Sequence, residues 1–210
     1  MTAQPDDTAL VIIDVQVDFC PGGALAVADG DAVVPVVNRL SSAFSTVVLT
    51  QDWHPAGHSS FATAHGEATP FSMAQMPYGT QVLWPDHCVQ GTPGAAFHPD
   101  LNTTPAQMIV RKGFRPGIDS YSAFFENDRT TATGLAGYLA DRGIRHIVVC
   151  GLATDFCVRW SAVDGSKIGL AVTLVEDACR AIDLDGSLDA AMAEMRGAGV
   201  TVTTADALLG

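Results

Sequence analysis

The chain has 210 residues, is 48% hydrophobic, and sets 11 Lys plus Arg against 23 Asp plus Glu for a formal net charge of -12. Such a charge repels phosphate backbones and anionic lipid surfaces, so no nucleic-acid and no membrane partner is expected, and the apolar content suits one domain spanning 1–210. The five cysteines (Cys20, Cys88, Cys150, Cys157, Cys179) are odd in number and form no CxxC pair, the first residues carry no basic and apolar leader, and no apolar run reaches ~20 residues; a cytoplasmic protein without disulfides or membrane spans is expected.

Along the chain, short Val- and Ile-rich runs alternate with helical patterns. A strand is expected over 8–15, bearing Asp14 near its end, then a helix over 31–44 whose start Pro35 obscures. A second strand over 45–52 ends on Asp52. The following segment, 53–105, is rich in Gly, Pro, His, Ser and Thr and has no clear period; a loop this long inside a domain is usually functional. Further strands are expected over 106–113, bearing Lys112, and over 145–151, 170–178 and 199–205. Helices are expected over 131–143, 157–169 and 187–199. Runs this apolar suit strands covered on both faces, which predicts an α/β fold: a three-layer, Rossmann-like domain with a mainly parallel six-stranded sheet flanked by helices. Gly165, inside the third helix, reads as a local weakening of up to ~1 kcal/mol relative to Ala.

Ligands of open parallel sheets bind outside the carboxyl ends of the strands. Asp14, Asp52, Lys112 and Cys157 are all predicted at that edge. Cys157 sits where a strand turns into a helix, and the unpaired N–H groups and dipole of a helix N-terminus favour a thiolate. Lys112 is one of only two lysines beside nine arginines, and an ammonium next to the thiol would stabilise negative charge. Asp14 follows buried aliphatics, where a carboxylate needs a partner or a task; it could take the thiol proton and return it to a leaving amine. Each has a plainer reading alone: a small buried hydrophobe, a surface lysine, a loop cap.

A second constellation lies in "QDWHPAGHSSF" and "WPDHCVQGTPGAAFHPDL". Asp52 and His54 are two apart on extended chain, His58 can fold back through the "PAG" turn, and His87 supplies a third imidazole. One carboxylate and three imidazoles suit one divalent metal ion, Zn, Fe or Mn, with the metal-binding loop region spanning about 52–105. Cys88 could compete as a ligand but is expected to face away. His65, His98 and His146 are read as structural or surface, Cys150 and Cys179 as core, and Cys20 as lining the site without chemistry.

The ordered set "DVQVDFCPGGAL", "TQDWHPAGHSSF", "WPDHCVQGTPGAAFHPDL", "RKG", "YSAFF" and "GLATDFCVRWSA" resembles the nicotinamidase/pyrazinamidase group of the isochorismatase-like cysteine hydrolases, over nearly the whole chain. The resemblance implies hydrolysis of nicotinamide to nicotinate and ammonia in NAD salvage, with pyrazinamide also accepted, and a triad of Asp14, Lys112 and Cys157. It further implies metal ligation by Asp52, His54, His58 and His87, with the pyridine nitrogen on the metal and the ring against Phe19 and Trp84. A cis peptide at Leu152–Ala153 would orient the Ala153 and Cys157 N–H groups as an oxyanion hole; Leu152, Ala153 and Tyr121 would complete the substrate pocket. A homo-oligomer is compatible with all of this. Two other readings stay open: the same fold acting on N-carbamoyl or other carboxamides, and a metal-binding thiol redox module, which would want a resolving cysteine near Cys157.

Overall fold

The computed structural model describes residues 3–210. In chain order the elements are β1 (Thr8–Ile13), α1 (Val33–Ser41), β2 (Thr46–Asp52), β3 (Met73–Met76), β4 (Gly79–Val82), β5 (Met108–Lys112), α2 (Leu135–Asp141), β6 (His146–Leu152), α3 (Arg159–Lys167), β7 (Ala171–Arg180), α4 (Ser187–Gly197), β8 (Thr201–Thr203) and α5 (Ala205–Leu209). Six strands form one sheet in the order β5-β2-β1-β6-β7-β8, and every pairing within it is parallel. Every residue of β1 and β2 is buried, as the unbroken apolar runs require of strands covered on both faces.

The strand order runs outward one way from β1 through β2 to β5 and the other way through β6, β7 and β8. Right-handed crossovers therefore place α1 and α3 on opposite faces of the sheet, which gives the three layers. Where the direction reverses, between β1 and β6, a crevice opens at the carboxyl ends of the strands. Asp14 leaves β1 at that crevice, and Cys157 follows β6 into it.

Pro35 falls in the first turn of α1, where a missing N–H costs no intrahelical bond. Gly165 has a packing reason rather than being a weak spot. A Cβ there would stand 2.9 Å from Ile147 Cδ1, 3.3 Å from Phe124 Cε2 and 3.4 Å from Val172 Cγ2, so its absence lets α3 lie close on β6 and β7. Three elements were not expected from the sequence: α5, the extension of β7 to Arg180 past a register shift opposite Val149 and Gly151, and the β3–β4 hairpin inside the long segment. That segment is ordered by bonds to distant chain: His54 N–H to Cys88 O at 3.0 Å, Gln90 N–H to His54 O at 2.8 Å, and Ala62 N–H to Trp84 O at 2.8 Å. Among the described residues, no helix is long and apolar enough to cross a membrane.

Candidate active site

Asp14, the first residue after β1, has a left-handed backbone (φ 47°), a conformation unfavourable for a side chain with a Cβ. Thr50 of β2 holds it from both sides: its hydroxyl donates to Asp14 Oδ1 at 2.6 Å and accepts the Asp14 N–H at 3.1 Å. Lys112 ends β5 in register with Asp52 at the end of β2. Its fully buried ammonium pairs with Asp14 Oδ2 at 2.8 Å and with Asp52 Oδ1, donates to Ser120 O at 2.8 Å, and lies 3.5 Å from Cys157 Sγ. Cys157 stands on a π-helical turn, Thr154–Val158, closed by the Val158 N–H on Ala153 O at 3.1 Å, and α3 continues from it; such turns recur at functional sites. The Leu152–Ala153 peptide is cis. Ligand-capable atoms of Asp14, Asp52 and Cys157 lie within 4.8 Å of one another, so the structure brings the expected triad together.

Burial sets the proton positions. It pushes the Cys157 thiol well above its ordinary range; Lys112 opposes this, and the Asp14 and Asp52 carboxylates add to it. Burial also raises Asp14, again against the pull of Lys112 and helped by Asp52. For Lys112, burial would favour the neutral amine, but Asp14 and Asp52 together hold the ammonium well above the ordinary lysine range. Asp52 goes the other way: against the cost of burial, Lys112 keeps its carboxyl well below the ordinary carboxylate range. The resting site is thus a neutral thiol facing a charged ammonium shared by two buried acids.

Beside it, Asp52, His54 and His87 bring one ligand atom each within 4.8 Å of the others. Hydrogen bonds on the far side of each ring aim the imidazoles. His54 Nδ1 lies 2.9 Å from Gly113 O and His87 Nδ1 2.8 Å from Pro85 O, so each ring donates there and turns the lone pair of Nε2 inward. Those Nε2 atoms lie 3.6 and 3.8 Å from Asp52 Oδ2, and His54 Nε2, fully buried, has no hydrogen-bond partner. Gly113, at φ 65°, leaves room for the His54 ring, into which any Cβ would project. Gln16 fixes the Asp52 backbone by donating to its carbonyl and accepting its N–H, both at 2.8 Å. An orphaned inward nitrogen, a second imidazole and a carboxylate form a donor set that fits a divalent ion of the Zn, Fe or Mn type.

His58 departs from expectation. Its Nδ1 faces Ser60 Oγ at 2.8 Å and its Nε2 faces Arg115 O at 2.9 Å and Ile118 O at 3.2 Å. With both nitrogens engaged, the ring lies tilted at 42° to that of His54, centroids 4.5 Å apart, and does not join Asp52, His54 and His87. Cys88 is fully buried and belongs to none of these ligand groupings.

Phe19, Trp84, Tyr121, Ala153 and Cys157 line a narrow slot next to both clusters, together with Asp52 and His87. Trp84 Nε1 donates to Tyr121 Oη at 3.0 Å, and Phe19 meets the edge of His87 at 5.5 Å between centroids. Leu152 is not on this wall: as the last residue of β6 it is fully buried in the core, and Ala153 reaches the slot instead. The structure adds four wall residues that sequence reasoning missed: Leu25, Asp119, Phe156 and Ile182. Phe156, next to Cys157 and edge-on to Trp84 at 4.8 Å, had a signal in its position within "GLATDFC"; Ile182 had none, since it arrives on the loop after β7.

Residues 8–207 match the isochorismatase domain family model. A nicotinamidase from Acinetobacter baylyi is 55% identical over 197 residues, 94% of this chain and 92% of its own. The solved structure of a nicotinamidase/pyrazinamidase from Acinetobacter baumannii superposes with a TM-score of 0.97 at 55% identity, over 98% of this chain and 100% of that one. A Pyrococcus horikoshii pyrazinamidase solved in complex with zinc superposes at 0.75 with 36% identity, over 94% and 99% of the two chains.

Proposed function

We infer that the chain, which belongs to the isochorismatase domain family, hydrolyses nicotinamide to nicotinate and ammonia, and pyrazinamide likewise, through a thioester on Cys157. The observation that carries this reading is the juxtaposition of Cys157, Lys112 and Asp14 at the crevice with an aromatic slot beside an inward-facing Asp52/His54/His87 set. The nicotinamidase and pyrazinamidase relatives support the substrate class.

The carboxamide lies in the slot with its ring between Phe19 and Trp84 and its carbonyl carbon over Cys157 Sγ. Asp14 takes the thiol proton as sulfur attacks that carbon, and Lys112 balances the negative charge that builds between them. The backbone N–H groups of Ala153 and Cys157 receive the oxyanion, each such donor being worth about 3 kcal/mol. When the C–N bond breaks, Asp14 returns the proton to the departing nitrogen and ammonia leaves. Asp14 then deprotonates water, the hydroxide cleaves the thioester, and the acid and the free thiol are restored. Asp52, His54 and His87 would hold a divalent metal ion, which would supply Lewis acidity toward the pyridine nitrogen; the Pyrococcus neighbour solved in complex with zinc supports a divalent metal in this chain. Nicotinate so formed returns to pyridine nucleotide synthesis.

The test is ammonia and nicotinate release by wild type and Cys157→Ala, each with and without chelation. Stoichiometric products from wild type and none from Cys157→Ala are expected. Activity surviving in Cys157→Ala overturns the covalent mechanism, and an inactive, metal-reloaded wild type overturns the substrate.

A further inference from the structure

Asp119 lies in the stretch between β5 and α2, is 2% exposed, and borders the same slot as Asp52 and His87. Its carboxylate is held by neutral donors: Oδ1 accepts the Ser120 N–H at 2.8 Å, and Oδ2 accepts from Gln81 Nε2 at 2.7 Å. Gln81, itself 1% exposed, also donates to Tyr121 Oη at 2.7 Å and accepts from Asn127 Nδ2 at 3.0 Å, so the carboxylate sits in a fixed amide frame. Among the described residues, no lysine or arginine pairs with it; Lys112 is engaged by Asp14 and Asp52. A buried carboxylate without a cation is costly. The basic groups near it are two imidazoles, His54 and His58; the unpartnered Nε2 of His54 lies 3.9 Å from Asp119 Oδ1 and 3.6 Å from Asp52 Oδ2.

We propose that Asp119 is the second carboxylate of the metal centre, facing the ion from the His54 side and acting through its charge and through hydrogen bonds from the ion's water shell. The inference rests on the reading of Asp52, His54 and His87 as the metal set. Ligand atoms of Asp119, His54 and His58 fall within 4.8 Å of one another, whereas Asp119 does not group with Asp52 and His87. That places it too far across the site to join all three in direct ligation and suits an outer position. The divalent ion would supply the counter-charge that the fold otherwise withholds, and the Gln81 frame keeps the carboxylate aimed as it would for an outer ligand. Asp119 is thus a positioning residue for the ion, distinct from the groups that touch the reacting carbon.

The experiment is competition for Zn²⁺ against a chromogenic chelator on the full-length chain, for wild type, Asp52→Ala and Asp119→Asn, with the melting temperature of each metal-free protein. Asp119→Ser serves in place of Asp119→Asn if the amide prevents folding. Expected are one tightly held Zn²⁺ in wild type, loss of it in Asp52→Ala, and a 10- to 100-fold weaker affinity in Asp119→Asn, the usual range for an outer partner (~10–100-fold). The metal-free Asp119→Asn should melt close to wild type, since the buried charge it sheds offsets the one acceptor it loses, toward Gln81 Nε2 or the Ser120 N–H. Affinity within two-fold of wild type, or weakening matched by an equal fall in metal-free stability, overturns the role of Asp119 while leaving the metal set intact. A wild type that holds no Zn²⁺ overturns both.

Discussion

Lys112→Met separates charge from shape at the centre of the site. Methionine fills much of the lysine stem but leaves Asp14 and Asp52 buried together without their shared cation, and strips the 2.8 Å ion pair with Asp14 Oδ2 and the 2.8 Å hydrogen bond to Ser120 O. Removing one partner of a buried pair costs about 3–5 kcal/mol, a large part of the roughly 5–15 kcal/mol that holds a typical domain. The loss should grow with pH. In wild type, Asp52 is held below its ordinary value by Lys112, so its contribution is full above the unfolded carboxylate value, about 3.9, and is lost only as pH falls below it. In the variant, both folded carboxylates are pushed upward by burial. Each then favours the fold at acid pH, where it is protonated, and that support disappears as pH rises through the raised folded value. Urea unfolding of the metal-free proteins at pH 5 and pH 8 should show the smaller gap at pH 5, with no catalysis at either. A gap that is equal at both values, or below about 1 kcal/mol at pH 8, refutes the claim that Lys112 neutralises two buried charges.

Burial holds the Cys157 thiol up, so in the substrate-free protein its alkylation by iodoacetamide should keep accelerating with pH beyond the ordinary thiol range of about 8.5; a plateau reached below pH 7 would show a resting thiolate instead. Thr50→Val keeps the shape of Thr50 but removes its two bonds to Asp14. At about 1.5–3 kcal/mol for a hydrogen bond to a charged group, kcat should fall roughly 10- to 100-fold with KM little changed, and kcat within two-fold of wild type would deny Thr50 its role. Gly165→Ala should lower the melting temperature, because contact at 2.9 Å with Ile147 Cδ1 sets an overpacking cost of about 1–3 kcal/mol against a helix gain of about 1 kcal/mol; a higher melting temperature would mean that α3 sits loosely on the sheet.

What the sequence disclosed depends on how far each residue's role is settled by its own strand. Asp14, Lys112 and Cys157 were legible because a parallel sheet sends successive strand ends to one edge, and few residue types there can do chemistry. His54 and His87 were legible as imidazoles but not as aimed ligands. What aims them is a carbonyl on the opposite side of each ring, Gly113 O for one and Pro85 O for the other, and neither pairing has a pattern in sequence. His58 shows the consequence: four residues from His54 and identical in chemistry, it has both ring nitrogens engaged by Ser60, Arg115 and Ile118 and so does not join Asp52 and His87. Asp119 was passed over because it lies in a stretch without periodicity, although it stands two residues before Tyr121, which the family resemblance had already placed at the pocket.

The cysteine shows where a local argument loses to a global one. A helix N-terminus stabilises an anion by about 0.3–1 kcal/mol, and up to about 2 kcal/mol when partly buried, and on that basis Cys157 reads as a thiolate. The structure sets against this several kcal/mol for desolvating a buried ion, together with two carboxylates within 4.8 Å of the sulfur. Lys112 offsets part of that cost but is shared between Asp14 and Asp52. The thiol therefore rests neutral, and the same burial that keeps it so raises Asp14, making that carboxylate a stronger base than a solvated one. On the proposed mechanism, attack is then driven by proton transfer to Asp14 as the carbon–sulfur bond forms, not by a standing thiolate.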